Sequence, residues 1–122
     1  EEKKPLKLGQ LWIMTSSGFK KSFKSRFCIL TNKSVLIWYR KQEDHQEGKR
    51  GGTIKKLETC TLEEAGIRTL PSGQETFCIQ INASPKALVG TDSERDRVNW
   101  MVEILKFRGI GGLIEIVNDS QH

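Results

Sequence analysis

The segment Lys20–Leu30, KKSFKSRFCIL, brings four cations into seven positions and then turns apolar. In an extended strand alternate side chains share a face, so Lys24 and Arg26 lie on the same side as Cys28 and Leu30. If the two apolar residues point into a core, the two cations stand at the mouth of that face, and the two preceding lysines lean over it. The segment predicts a binding site for an anion, although a solubilising strand end would carry the same charges.

Composition limits the chain to a few classes. Its 122 residues suit one domain with a single core. Twenty Lys and Arg against fifteen Asp and Glu give a net charge of +5, which favours nucleic acid, an anionic membrane or a phosphorylated partner. Three cysteines without a CxxC pair, and histidines only at 45 and 122, predict no disulfide scaffold, no metal site and no cofactor.

The chain shows no signal for crossing a membrane or for secretion. Its longest apolar runs, about six residues, are far below the roughly 20 that span a bilayer, and the start EEKKP lacks the apolar core of a signal peptide. The charged beginning and the polar end NDSQH are typical of a domain cut from a longer protein. We expect a cytoplasmic domain.

Short apolar segments alternate with turn residues along most of the chain. This pattern is typical of a meandering antiparallel sheet that closes into a partly open barrel or an orthogonal sandwich. The polar stretch 40–52 predicts an exposed loop. The predicted strands are 7–14, 23–31, 35–39, 53–57, 61–65 or a little beyond, 77–82 and 87–91.

One helix is predicted at the end of this series. Thr91–Glu94 has the spacing of a capping box, and Ser93 offers a second cap with Asp96 three residues on. An apolar stripe through Val98, Met101, Val102 and Leu105, widened by Trp100, Ile104 and Phe107, continues to Gly109. We expect a flank at 1–6, a domain at 7–108 and a linker or docking tail at 109–122.

Catalysis and nucleic-acid binding are both disfavoured. Neither G-x-S-x-G nor G-x-x-x-x-G-K-[ST] occurs, and His45 lies in a loop among acidic residues. A basic barrel can stack bases on exposed aromatic rings, but Trp12, Phe77 and Trp100 are placed to pack in a core. We therefore expect a non-enzymatic binding module.

Seven strands followed by one capped helix with a tryptophan is the order found in pleckstrin homology (PH) domains, and the chain resembles that family from about Lys7 to Phe107. The resemblance implies a seven-stranded, mostly β fold capped by a C-terminal helix. The segments that carry it are Gly9-Gln10-Leu11, Lys24-Ser25-Arg26-Phe27 with Ile29-Leu30, Leu36-Ile37-Trp38-Tyr39, and Trp100 in the helix.

The resemblance also implies a phosphoinositide site made by the ends of the first two strands. Lys24 and Arg26 match the basic K/R-x-R element of the lipid-binding members, and Lys20 and Lys21 would supply the loop. Two further positions stay open: the aromatic is Trp38 or Tyr39, and the additional cation is Lys49 or Arg50. The chain departs from the family at Ile13, where lipid-binding members usually have lysine.

The implied role is a membrane-targeting or adaptor module in intracellular signalling, recruited to the inner face of the plasma membrane. Its partner is a phosphoinositide or an anionic membrane. The alternative is a protein-interaction module that adds a peptide strand at an open sheet edge and binds no specific lipid. A fainter similarity, through Ile54–Cys60 and the stretch Phe77–Leu88, is to the PH domains of docking-protein adaptors. The oligomeric state stays open.

Overall fold

The described part of the chain is one antiparallel sheet with a helix at its end. The computed structural model describes residues 5–17, 20–48 and 51–106. The mostly β architecture with seven strands and a C-terminal helix, predicted from the sequence, is confirmed. The elements are β1 (Pro5–Ser17), β2 (Lys20–Thr31), β3 (Leu36–Tyr39), α1 (Gln42–Gln46), β4 (Gly52–Ile54), β5 (Thr61–Thr69), β6 (Glu75–Asn82), β7 (Ala87–Thr91) and α2 (Glu94–Leu105).

The strands form a single sheet in the order β4-β3-β2-β1-β7-β6-β5, with β4 and β5 at its two edges. The long strand β1 pairs with β2 along its whole length and with β7 only around Trp12 and Ile13. One main hydrophobic core collects buried side chains from β1, β2, β3, β4, β6, β7 and α2. The sheet therefore curls around this core, and we call the side that faces it the inner face.

Helix α2 covers part of the inner face. Of the two predicted N-terminal signals the structure uses Ser93, whose hydroxyl accepts a hydrogen bond from the Asp96 amide at 3.1 Å. Trp100 is 3% exposed and lies against Gly9, where a Cβ would come within 3.2 Å of the indole. The helix is therefore held to β1 by an aromatic ring that packs closely against a glycine.

Two local predictions are wrong. Residues 42–46 of the expected loop form α1, because good helix formers and acidic residues in the first turn favour a helix there. The strand expected at 53–57 ends at Ile54, because Lys56 takes a left-handed conformation with φ of 63°. The chain then makes a 3₁₀ turn, Leu57–Thr59, which buries Leu57 completely.

Several strands are longer than predicted, most clearly β1 and β2, which extend towards each other at the hairpin. The predicted helix end at Gly109 and the predicted tail 109–122 lie outside the described residues, and α2 ends at Leu105. Within the three described ranges, no helix is long and apolar enough to cross a membrane.

Candidate functional site

The pairing of β1 with β2 places the two predicted cations on the inner face. Lys24 lies directly opposite Ile13, and Arg26 lies opposite Leu11. Residues opposite each other in an antiparallel pair project to the same side of the sheet. Ile13 is 2% exposed and belongs to the main core, as do Leu11 and Cys28. Lys24 and Arg26 therefore lie on the inner face, next to the residues of that face that are buried in the main core.

The side chains of Lys24 and Arg26 differ in their exposure to solvent and in how firmly they are held. The Lys24 side chain is exposed, whereas Arg26 is half-buried. One Arg26 guanidinium nitrogen, Nη1, donates a hydrogen bond of 2.9 Å to the backbone carbonyl of Ser25. Arg26 is therefore held beside the strand, while Lys24 can reorient towards a ligand.

A cavity of about 330 Å³ opens beside these cations, between the β1–β2 hairpin, β3 and the β6–β7 turn. Six of its nine lining residues are apolar, and the polar ones are Thr15, Lys21 and Lys86. Three of the apolar residues, Ile13, Trp38 and Ala87, belong to the main core or pack against it. The cavity is thus the uncovered end of the core with two lysines at its wall, and we call it the hairpin pocket. Its lining residues are Ile13, Met14, Thr15, Lys21, Trp38, Pro85, Lys86, Ala87 and Leu88.

Trp38 and Tyr39 are adjacent in sequence but lie on opposite faces. Trp38 pairs with Cys28 and lines the hairpin pocket. Tyr39 pairs with Phe27 and is 5% exposed in a second cluster with Ile29 and Ile37, on the outer face. Of the two predicted aromatic candidates, the structure brings Trp38 to the cations and separates Tyr39 from them.

The indole of Trp38 lies flat on β4. Gly51 donates a hydrogen bond of 2.8 Å from its amide to the Trp38 carbonyl. A Cβ on Gly52 would overlap ring atom Cζ2 of Trp38, and one on Gly51 would come within 3.1 Å of Cδ1. The two glycines therefore leave room for the ring that forms one wall of the pocket.

Of the four remaining predicted site residues, two belong to β2 and two lie outside the described residues. Lys20 pairs with Ser17 at the start of β2, and Lys21 pairs with Ser16. Lys21 is exposed and lines the hairpin pocket. Lys49 and Arg50, the two candidates for the additional cation, lie outside the described residues.

Lys86 is a pocket residue that sequence reasoning missed. It follows Pro85 in the turn between β6 and β7 and is exposed. In sequence it is a single lysine in an ordinary turn, far from the basic segment. The pairing of β1 with β7, through Ile13 and Val89, brings this turn next to the hairpin.

Lys21 also borders a second, smaller cavity of about 230 Å³, between the β1–β2 hairpin and the end of β5. Arg68 is its other cation, and Met14, Phe23, Leu70 and Pro71 contribute most of its apolar wall. Lys24 and Arg26 are in the described lining of neither cavity, and the smaller cavity also lacks Trp38. It therefore collects fewer of the predicted site residues than the hairpin pocket does.

Two of the three buried cysteines, Cys28 and Cys78, are not equipped as nucleophiles. Burial raises the pKa of the Cys28 thiol to about 12, although a backbone hydrogen bond with Leu11 and the charge of Arg26 act against it. Burial also raises the pKa of Cys78, against the opposing charges of Arg68 and Arg97. The thiolate is the reactive form, so both thiols stay inert near neutral pH. In the described ranges, no group of three or more His, Cys, Asp or Glu side chains could hold a metal ion.

Comparison with known proteins identifies the family. The model of the PH domain family matches residues 5–107, which is most of the chain, so the chain belongs to the PH domain family. Among curated proteins the comparison finds no match. PH domains are generally non-catalytic and serve as signalling or adaptor modules.

Proposed function

We propose that this PH domain is a non-catalytic membrane-targeting module that binds phosphoinositide head groups, or anionic membrane more generally, at the hairpin pocket. One observation carries the proposal: lysines from two different hairpins, Lys21 and Lys86, line one cavity at the uncovered end of the core. Lys24 and Arg26 continue the same inner face beside it. Recruitment to the inner face of the plasma membrane would follow, and with it an adaptor role.

The expected strength of this attraction is modest. Each basic residue near an anionic leaflet contributes about 1 kcal/mol, so Lys21, Lys24, Arg26 and Lys86 together contribute about 4 kcal/mol. That free energy corresponds to roughly millimolar affinity. Stable recruitment therefore requires a specific head group or a second attachment.

Sedimentation with vesicles at low and physiological salt tests the proposal. We expect the 122-residue chain to bind vesicles that contain phosphoinositide, and the double variant Lys21→Ala, Lys86→Ala to lose about 2 kcal/mol, or roughly 30-fold. The matched control, Lys33→Ala with Arg95→Ala, removes the same charge from exposed residues that do not line the pocket. It should stay within about threefold of wild type, since charge near a membrane acts over about one Debye length.

Two results would count against the proposal, and a third would reduce it to attraction by anionic membrane. If the wild type ignores all anionic vesicles at low salt, membrane binding is wrong. If both double variants lose the same affinity, the attraction follows net charge and not the pocket. If binding is equal for all anionic lipids and disappears at physiological salt, only electrostatic attraction remains.

A protein partner is the second candidate, favoured by an apolar patch on the outer face. Leu6 and Leu8 on β1 are 47% and 52% exposed, and Leu8 lies opposite Ile29 of the second cluster. Exposed apolar groups next to a packed cluster suit a protein surface better than a phosphate. The double variant Leu6→Ser, Leu8→Ser should then lose a partner in pull-downs and keep vesicle binding, whereas loss of vesicle binding instead would argue against this candidate.

A further inference from the structure

The first half of β1 has an open edge among the described strands. β1 pairs with β2 along its whole length, but its pairing with β7 involves only Trp12 and Ile13. In an antiparallel sheet each strand offers amide and carbonyl groups to both sides. On the side away from β2, the backbone groups of residues 6–10 therefore face no described strand. We call this side of residues 6–10 the β1 edge, and an edge of this kind is a template for a further strand.

Exposed leucines lie along the β1 edge. Leu6 and Leu8 belong, with Ile67, to the large apolar side chains that are exposed among the described residues. Leu8 lies on the outer face, whereas Lys7 lies on the inner face, with its ammonium 5.0 Å from the centre of the Trp100 ring. A strand added at the β1 edge would therefore cover a leucine on the outer face and meet a cation on the inner face.

Helix α2 carries the chain to the neighbourhood of this edge. Trp100, in the middle of the helix, packs against Gly9, and the helix ends at Leu105, five residues or about 8 Å later. Residues 107–122 lie outside the described residues. The first six of them, 107–112, include three glycines and can span about 20 Å when extended. The chain that leaves the helix is therefore long enough to return to the β1 edge.

The sequence that follows these glycines has the pattern of a strand. Leu113–Val117 reads LIEIV, in which three of the five residues are β-branched and none is glycine or proline. Alternation places Ile114 and Ile116 on one face of such a strand and Glu115 on the other. One face is therefore wholly apolar, and the other carries a single negative charge.

We propose that Leu113–Val117 adds to the β1 edge as an additional strand, with Ile114 and Ile116 packed beside Leu8 on the outer face and Glu115 on the side of Lys7. Hydrogen bonds between the two backbones hold the added strand, and the burial of apolar side chains stabilises it. Leu8 is then covered by the chain's own tail, so a protein partner that uses the outer face at this point must displace the tail. The β1 edge and the hairpin pocket occupy different parts of β1, and neither depends on the other.

Amide hydrogen exchange of the 122-residue chain, measured by NMR, tests the added strand. The double variant Glu115→Pro, Ile116→Pro removes two adjacent amides, one of which must face β1 in any paired strand. We expect the amides of residues 6–10 that face away from β2 to exchange about tenfold faster in this variant than in the wild type. The amides that join β2 to β3 should keep their exchange rates.

The matched control is the double variant Asp119→Pro, Ser120→Pro. It removes one carboxylate and introduces two prolines in the same tail, but outside the segment 113–117. Exchange at the β1 edge should therefore match that of the wild type. Equal exchange in the wild type and the Glu115 variant would overturn the proposal, and so would the same acceleration in both double variants.

A cross-link distinguishes the chain's own tail from a second copy of the chain. Leu8→Cys is combined in turn with Ile114→Cys and with Ile116→Cys, and oxidised glutathione serves as the oxidant; the three native cysteines are buried. We expect at least one pair to form a disulfide within the monomer about tenfold faster than the same tail cysteine does with Ile67→Cys, an equally exposed position on β5. Equal rates at the two positions would mean that the tail is not held at β1. A disulfide-linked dimer as the main product would mean that a second copy occupies the edge, and either result would overturn the proposal.

Discussion

The β1–β2 hairpin contains two segments that share one inner face but end in opposite environments. In the covered segment, Gly9 and Leu11 lie beneath helix α2, and Trp100 closes the surface over them. In the open segment, Ile13 and Thr15 border a cavity with lysines at its wall. A single strand pair therefore contributes to both the core and the candidate site, and the site begins where helix α2 no longer covers the inner face.

A substitution in the covered segment should change the free energy of unfolding most. Trp100→Ala removes a nearly fully buried ring from the contact with Gly9 and should lower the free energy of unfolding by about 3 to 5 kcal/mol. Chemical denaturation measures it. Lys24→Ala, in the open segment, should change stability by no more than about 0.5 kcal/mol. A loss below about 1 kcal/mol for Trp100→Ala would mean that the helix is not a major cover of the core.

The second largest change in stability is expected for a substitution of Gly52, which lies beneath the Trp38 ring of the pocket wall. Gly52→Ala introduces a Cβ that overlaps the Trp38 indole, so the ring or β4 must move. Overpacking of this kind costs about 1 to 3 kcal/mol. We also expect weaker vesicle binding, because the displaced ring forms the pocket wall.

The neighbouring glycine is the matched control for that variant. A Cβ on Gly51 meets the same ring at 3.1 Å, a close contact that small movements can relieve. Gly51→Ala should therefore cost less stability than Gly52→Ala and alter binding less. If the two variants lose the same free energy of unfolding, the position of the Trp38 ring does not depend on its fit to β4.

The smallest expected effect concerns Cys28, at the buried end of β2. Its pKa rises from 9.0 to about 12 on folding, so the unfolded chain ionises this thiol first. The buried neutral thiol contributes its full stabilisation below pH 9, and this contribution is lost as the pH rises towards 12. Over that range the slope of the free energy of unfolding with pH approaches about 1.4 kcal/mol per pH unit. The stability difference between wild type and Cys28→Ala should therefore shrink by about 1.4 kcal/mol between pH 8 and pH 10. A constant difference would indicate that the thiol is not shielded from water.

The sequence predicts the covered segment better than the open one. Alternation in β2 identifies which residues share a face, and the stripe in α2 identifies the helix, because both signals are local and periodic. Trp38 and Tyr39 could not be separated in the same way, because the register of β2 with β3 decides which of them faces the core.

The pocket depends on contacts between distant parts of the chain. Lys86 lines the same cavity as Lys21 because β7 pairs with β1, and no local sequence pattern predicts that pairing. The conformation of Lys56 is also not predictable from local sequence. Its φ of 63° is a left-handed conformation that lysine does not favour, so the surrounding structure imposes it. Local physics therefore predicts the elements, and the topology assembles the site.

The most direct test of the account is a titration of the isotopically labelled 122-residue chain with glycerophosphoinositol 4-phosphate, followed by NMR. The titration detects whether an anionic head group binds the inner face at the hairpin pocket. We expect the largest shifts at the amides of Thr15, Lys21 and Lys86 and at the indole NH of Trp38, with Tyr39 and Ile37 unchanged. Shifts confined to Arg68–Pro71, to the outer face, or to no residue at all would contradict the account.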